Sequence, residues 1–109
     1  KLYFENLNQK KIFFPKEKKE EFNTYHTFVI QVNNRDKLIR YLASKGIQTA
    51  IHYPRPIHLQ PATKRFGYKV GDFPITEKQA KRIITLPIHQ YLSTDDLKYI
   101  VKSTNEFFD

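Results

Sequence analysis

A chain of 109 residues, 39% hydrophobic and 15% aromatic, is enough for one domain with a modest core. With 28% charged residues and no cysteine, it excludes a transmembrane helix, a signal-peptide core, disulfides, thiolate metal sites and cysteine nucleophiles. Lys and Arg outnumber Asp and Glu by 19 to 11, and the net charge of +8 suits anionic partners as well as it suits a lysine-biased soluble surface.

The chain opens on Lys1 and contains no methionine, so it is expected to be a piece of a longer polypeptide. Leu2, Tyr3 and Leu7 have weak helical spacing, and Ile12-Phe13-Phe14-Pro15 leads into the charged run from Lys16 to Glu21. That run has no apolar periodicity and its glutamates cancel much of its positive charge, so it reads as a solvated loop. Residues 1–23 are therefore set apart from a domain spanning 24–109. Between Tyr25 and Val32, the alternation of Phe28, Ile30 and Val32 predicts a strand. Asn34 is expected to cap a helix carrying Asp36 in its first turn and an apolar stripe of Leu38, Ile39 and Leu42, ended by Lys45-Gly46. Ile47, Thr49 and Ile51 alternate as a second strand. After a proline-broken stretch, Ala62 to Phe66 reads as a short helical segment closed by Gly67. Thr76 and Gln79 have capping-box spacing, with Ile75 and Ala80 as a weak hydrophobic staple, and Ile84, Leu86 and Ile88 suggest a third strand ended near Pro87. Ser93 and Asp96 form another capping box, followed at helical spacing by Leu97, Ile100, Val101, Thr104, Phe107 and Phe108. The order of elements predicts an α+β fold: a small three-stranded sheet with helices packed on one face.

Chemistry is concentrated between Gly46 and Pro61. Pro54, Pro56 and Pro61 fix φ and remove backbone donors, so the chain must leave the sheet and hold an extended shape there. This stiff loop offers His52, Tyr53, Arg55 and His58, whose imidazole, phenol and guanidinium groups suit phosphate or hydroxyl oxygens. The same residues also suit a structural turn in which the rings of His52 and Tyr53 pack by their faces. No metal site is expected: His52 and His58 stand six residues apart across two prolines, and no His-x-x-x-His pair occurs. Ser44, Ser93 and Ser103 lie in helical contexts, and Gly46, Gly67 and Gly71 form no phosphate-cradling loop. Lys64, Arg65, Phe66, Tyr68 and Lys69 mix basic and aromatic groups, yet the aromatic strand signature of RNA modules is missing, and Phe66 and Tyr68 are assigned to the core.

One set of residues carries a family likeness: Gly46-Ile47, His52-Tyr53-Pro54, Pro56 to Pro61, Gly67-Tyr68, Gly71 to Pro74, Glu77, Ala80 and Leu86-Pro87-Ile88-His89. In this order and spacing the chain, from about Tyr25 to Phe108, resembles the C-terminal domain of the DegT-like nucleotide-sugar aminotransferases, fold-type-I enzymes dependent on pyridoxal phosphate. Tyr3 and Leu7 look like the tail of the long helix joining the family's two domains. The resemblance implies a cytoplasmic, homodimeric parent enzyme that moves an amino group from glutamate onto a keto-sugar linked to a nucleoside diphosphate. It also implies that the lysine bonding the cofactor, and the groups holding it, belong to a large N-terminal domain. No lysine here sits in that motif, so no catalytic residue and no bound cofactor are expected in this chain. By the same resemblance His52 and Tyr53 help to form the nucleotide-sugar pocket, with Arg55 and His58 as further substrate contacts. Gly67, Gly71, Pro74, Leu86 and Pro87 look like turn and packing positions. A rigid, donor-rich loop on a basic domain suits a substrate with two phosphates. The rival readings are a freestanding nucleotide-sugar-binding module and a basic nucleic-acid-binding domain. Under the leading reading neither nucleic acid nor membrane is a partner.

Overall fold

Phe28, Ile30 and Val32 alternate with the less buried Val29 and Gln31, and this two-residue period makes Phe28–Val32 the middle strand of the sheet. In the computed structural model, which describes residues 1–109, the elements run as follows: α1 (Leu2–Asn6), β1 (Ile12–Phe13), β2 (Phe28–Val32), α2 (Arg35–Ser44), α3 (Pro74–Ala80), β3 (Ile83–Leu86) and α4 (Thr94–Glu106). Two 3₁₀ turns, Ile57–Leu59 and Pro61–Phe66, lie between α2 and α3. The sheet is antiparallel in the order β1-β2-β3, with Ile12 opposite Val32 and Ile30 opposite Ile84. Leu38 and Leu42 of α2 and Ile100 and Val101 of α4 join the inward residues of the sheet in one core. The α+β expectation therefore holds, with the helices meeting one buried face.

Strand membership corrects the sequence reading. Ile47, Thr49 and Ile51 alternate, yet only Ala50 pairs with the sheet, exchanging two backbone hydrogen bonds with Thr85. Ile47 is drawn into the core as the chain leaves α2, its amide donating to the Leu42 carbonyl, and the prolines beyond His52 stop the pairing from extending. The third strand is instead Ile12–Phe13, inside the stretch read as lead-in to a loop. Around it, Phe4, Phe14, Tyr25 and Phe28 meet at ring separations of 5.3 to 6.0 Å, mostly edge-on or tilted. Tyr3 packs on Phe28 at 4.8 Å, and its hydroxyl donates to the Pro87 carbonyl at 2.6 Å. Asn105 of α4 ties the same segment down: its side chain accepts from the Asn8 amide at 2.9 Å and donates to the Asn6 carbonyl at 2.8 Å.

Helix ends follow local chemistry. Asn34 does precede α2, but it acts through its backbone, in the left-handed region at φ 58, a conformation that asparagine tolerates better than most residues; its side chain makes no cap bond. The Ser93–Asp96 box forms as expected, with each side chain accepting from the other residue's amide at 3.0 Å. The Thr76–Gln79 box does not form. α3 starts earlier, with Pro74 in its first turn, where a fixed φ helps and a missing N–H costs nothing, so Thr76 lies inside the helix and Ile75 is exposed.

Candidate functional site on the proline-stiffened edge

The excursion from His52 to Phe73 starts where Ala50 leaves the edge of β3. Thr85, one residue of that strand, holds its start: its Oγ1 lies 2.8 Å from Nδ1 of His52. Thr85 is buried, whereas His52 remains exposed. The next residue, Tyr53, follows a cis peptide bond and meets the His52 ring edge-on, with centroids 5.3 Å apart. Tyr53 is 70% exposed. Arg55 is exposed as well, and its carbonyl accepts from the Gln60 side-chain amide at 3.1 Å, which closes the proline segment on itself.

His58 differs from these three. It is only 7% exposed; Nε2 lies 3.1 Å from Oε1 of Glu77, and the ring stands edge-on to Phe73 at 4.8 Å. The tight Ile57–Leu59 turn points Ile57 outward and His58 inward, so that His58 braces the loop from below. Glu77 completes the brace by accepting the Gly71 amide on both carboxylate oxygens, at 2.8 and 3.1 Å. The Gly71 amide pulls the Glu77 carboxyl below the usual carboxylate range; desolvation opposes this and His58 adds to it.

The structure thus leaves His52, Tyr53 and Arg55 exposed on one loop, with the His52 and Tyr53 rings in contact, and turns His58 inward. Sequence reasoning missed Thr85 and gave Glu77 no role. Thr85 stands at the strand position between Ile84 and Leu86, both of which face the core, and that alternation was the available signal for a polar group on the opposite face. Phe66 and Tyr68, assigned to the core, are 59% and 50% exposed, and the Arg65 guanidinium lies 4.9 Å from the centre of the Phe66 ring. A cavity of about 550 Å³ lies elsewhere, between α1 and the segment leading into β2, lined by Phe4, Phe14, Phe22 and Tyr25 among others; none of the four candidate residues lines it. No group of three metal-ligating side chains converges, and no helix is long and apolar enough to cross a membrane.

A family model described as the DegT/DnrJ/EryC1/StrS aminotransferase family matches residues 1–105. The chain belongs to this family. Among DegT/DnrJ/EryC1/StrS relatives, it is 37% identical over 94 residues to a protein of Geobacillus stearothermophilus named as a pleiotropic regulatory protein, covering 86% of this chain and 25% of that one. It is 31% identical over 105 residues to the dTDP-3-amino-3,6-dideoxy-alpha-D-galactopyranose transaminase of Aneurinibacillus thermoaerophilus, covering 96% and 28%. The crystal structure of a DegT DnrJ EryC1 StrS aminotransferase from Brucella abortus superposes with a TM-score of 0.87 at 32% identity, over 96% of this chain and 28% of that one. The chain therefore spans about a quarter of the length of the curated relatives it matches.

Proposed function

We propose that this chain is the small C-terminal domain of a pyridoxal-phosphate-dependent sugar aminotransferase, and that its His52–Arg55 edge forms one wall of the nucleotide-sugar site. The parent enzyme transfers an amino group from glutamate to a keto-sugar carried on a nucleoside diphosphate, and works as a homodimer. The observation that carries the reading is the exposed, proline-stiffened trio on a chain of this family, since stiff loops hold binding groups with little ordering cost. In this reading the Arg55 guanidinium pairs with phosphate oxygens through its planar fork, the Tyr53 hydroxyl donates to a phosphate or sugar oxygen, and His52 supplies a third donor.

Nothing in this chain fits the cofactor itself. Every lysine is exposed, and in this reading the group that bonds pyridoxal phosphate belongs to other polypeptide. That cofactor would supply the electron sink for the transfer. The trio supplies position.

The test uses the whole protein. Purified protein is expected to carry the visible absorbance of bound pyridoxal phosphate and to aminate a nucleotide-linked keto-sugar only when glutamate is present. Tyr53→Ala and Arg55→Ala should raise KM for the nucleotide sugar far more than they change KM for glutamate. Protein without cofactor, or variants with unaltered nucleotide-sugar KM, would overturn the proposal.

A further inference from the structure

Thr85 sits on β3 with Ile84 and Leu86 fixed in the core on either side, and its backbone is paired with Ala50. Its side chain therefore has little freedom to turn. Thr85 is buried, and the hydrogen-bond partner of its hydroxyl is Nδ1 of His52, at 2.8 Å. Two proton arrangements fit that distance. Either Nδ1–H donates to Oγ1 and the hydroxyl hydrogen is left buried without an acceptor, or the hydroxyl donates to Nδ1 and the imidazole hydrogen resides on Nε2. Buried donors left unpaired are rarer and costlier than acceptors with a spare lone pair, so the second arrangement wins.

We infer that Thr85 is a positioning residue that holds His52 as the Nε2–H tautomer, with that N–H directed away from the sheet as a donor for an oxygen acceptor of the ligand. Two contacts fix the ring: the Thr85 hydroxyl at Nδ1 and the edge of Tyr53 at 5.3 Å. The remaining nitrogen lies on the far side of the ring from Thr85. A histidine held this way selects acceptors, such as diphosphate or hydroxyl oxygens, and offers nothing to a ligand group that can only donate. The ligand half of this inference rests on the nucleotide-sugar reading; the tautomer half does not.

The experiment separates the two halves. In the whole protein with ¹⁵N-labelled histidine, His52 is assigned by the loss of its signals in His52→Gln. At alkaline pH it should show an unprotonated Nδ1 and a protonated Nε2, without averaging. Thr85→Val, which keeps shape but removes the hydroxyl, should give averaged nitrogen shifts and weaken binding of dTDP-glucose about fivefold, the worth of one positioned hydrogen bond. Thr85→Ser should restore both. A His52 found as the Nδ1–H form, or a His52 spectrum indifferent to Thr85→Val, overturns the inference. If Thr85→Val does not fold, the tautomer in the wild type and in Thr85→Ser decides the matter by the same criterion. The expected tautomer pattern in a protein that fails to bind dTDP-glucose supports the role of Thr85 and removes the nucleotide-sugar reading instead.

Discussion

Replacing Tyr3 with phenylalanine makes a small change whose sign depends on pH. Tyr3 is 4% exposed, its ring lies on Phe28, and its hydroxyl donates to the Pro87 carbonyl at 2.6 Å, two residues past Thr85. Near neutral pH, Tyr3→Phe removes one long-range hydrogen bond and leaves that carbonyl without its partner, a loss of about 1 kcal/mol. For a domain of this size that lowers Tm by about 5 °C. At high pH a second effect enters. Burial pushes the Tyr3 phenol well above its ordinary value of 10.0, so above that pH the unfolded chain gives up the proton while the folded chain keeps it. The unfolded state then binds fewer protons, and wild-type stability falls by about 1.4 kcal/mol for each further pH unit. The stability tied to Tyr3 is thus whole below the unfolded pKa and lost as pH climbs toward the raised folded value. Phenylalanine has no such proton. The two stability curves should therefore meet within about one pH unit above the ordinary tyrosine pKa, since about 1 kcal/mol divided by that slope is less than one unit. Tyr25 and the lysines are common to both proteins and drop out of the difference. Urea unfolding followed by far-ultraviolet circular dichroism, from neutral to strongly alkaline pH, measures both curves. A gap that stays constant across the range would refute the reasoning, because it would mean that the Tyr3 phenol is not held protonated by the fold.

Two further outcomes follow from the caps and braces. Ser93→Ala should cost about 1 kcal/mol in urea unfolding at neutral pH. The Ser93 hydroxyl first, and its amide second, hold the Asp96 carboxyl below its ordinary range; this stabilisation is present above the unfolded carboxylate pKa and lost as pH falls through the folded one. The gap between Ser93→Ala and wild type should accordingly narrow in acid, and a gap that widens there would count against the capping box. Glu77→Gln keeps an oxygen acceptor but removes the charge drawn on by Gly71 and His58, so protection of the Gly71 amide against hydrogen exchange should fall by about threefold to tenfold. In the wild type the same protection should be lost as pH drops through the lowered pKa of Glu77. Unchanged Gly71 exchange in the variant would show that the excursion is held by something else.

What could be read from residues alone depended on whether a pattern was long enough to have a period. β2 and α4 were legible because Phe28, Ile30 and Val32 repeat every second residue, and because Ser93 and Asp96 announce a helix whose apolar stripe runs for three turns. β1 was not, because Ile12 and Phe13 are two residues and carry no repeat; their pairing with Val32 and Gln31 is decided by the sheet. Ile47, Thr49 and Ile51 have the repeat but lose the strand, since Ile47 is claimed by the core at the end of α2 and the prolines forbid continuation. Phe66 and Tyr68 were misplaced because ring size says nothing about direction on an irregular loop. At the site, prolines gave away the stiff edge and its outward His52, Tyr53 and Arg55. They could not reveal that a 3₁₀ turn rotates His58 inward, or that Thr85, 33 residues further along, reaches back to His52.

The two margins of the sheet have a consequence for how the domain behaves in company. On one side β1 offers only two residues, with Lys10 and Lys11 before it and Pro15 soon after. On the other, Thr85 has already spent its outward amide and carbonyl on Ala50, and the chain beyond runs into Pro54 and Pro56. An incoming extended peptide finds few free amides to zip onto at either side, and positive charge or imino rings where it would continue. This small sheet is thereby guarded against templated stacking into fibrils, despite the many aromatic rings the domain leaves on its surface.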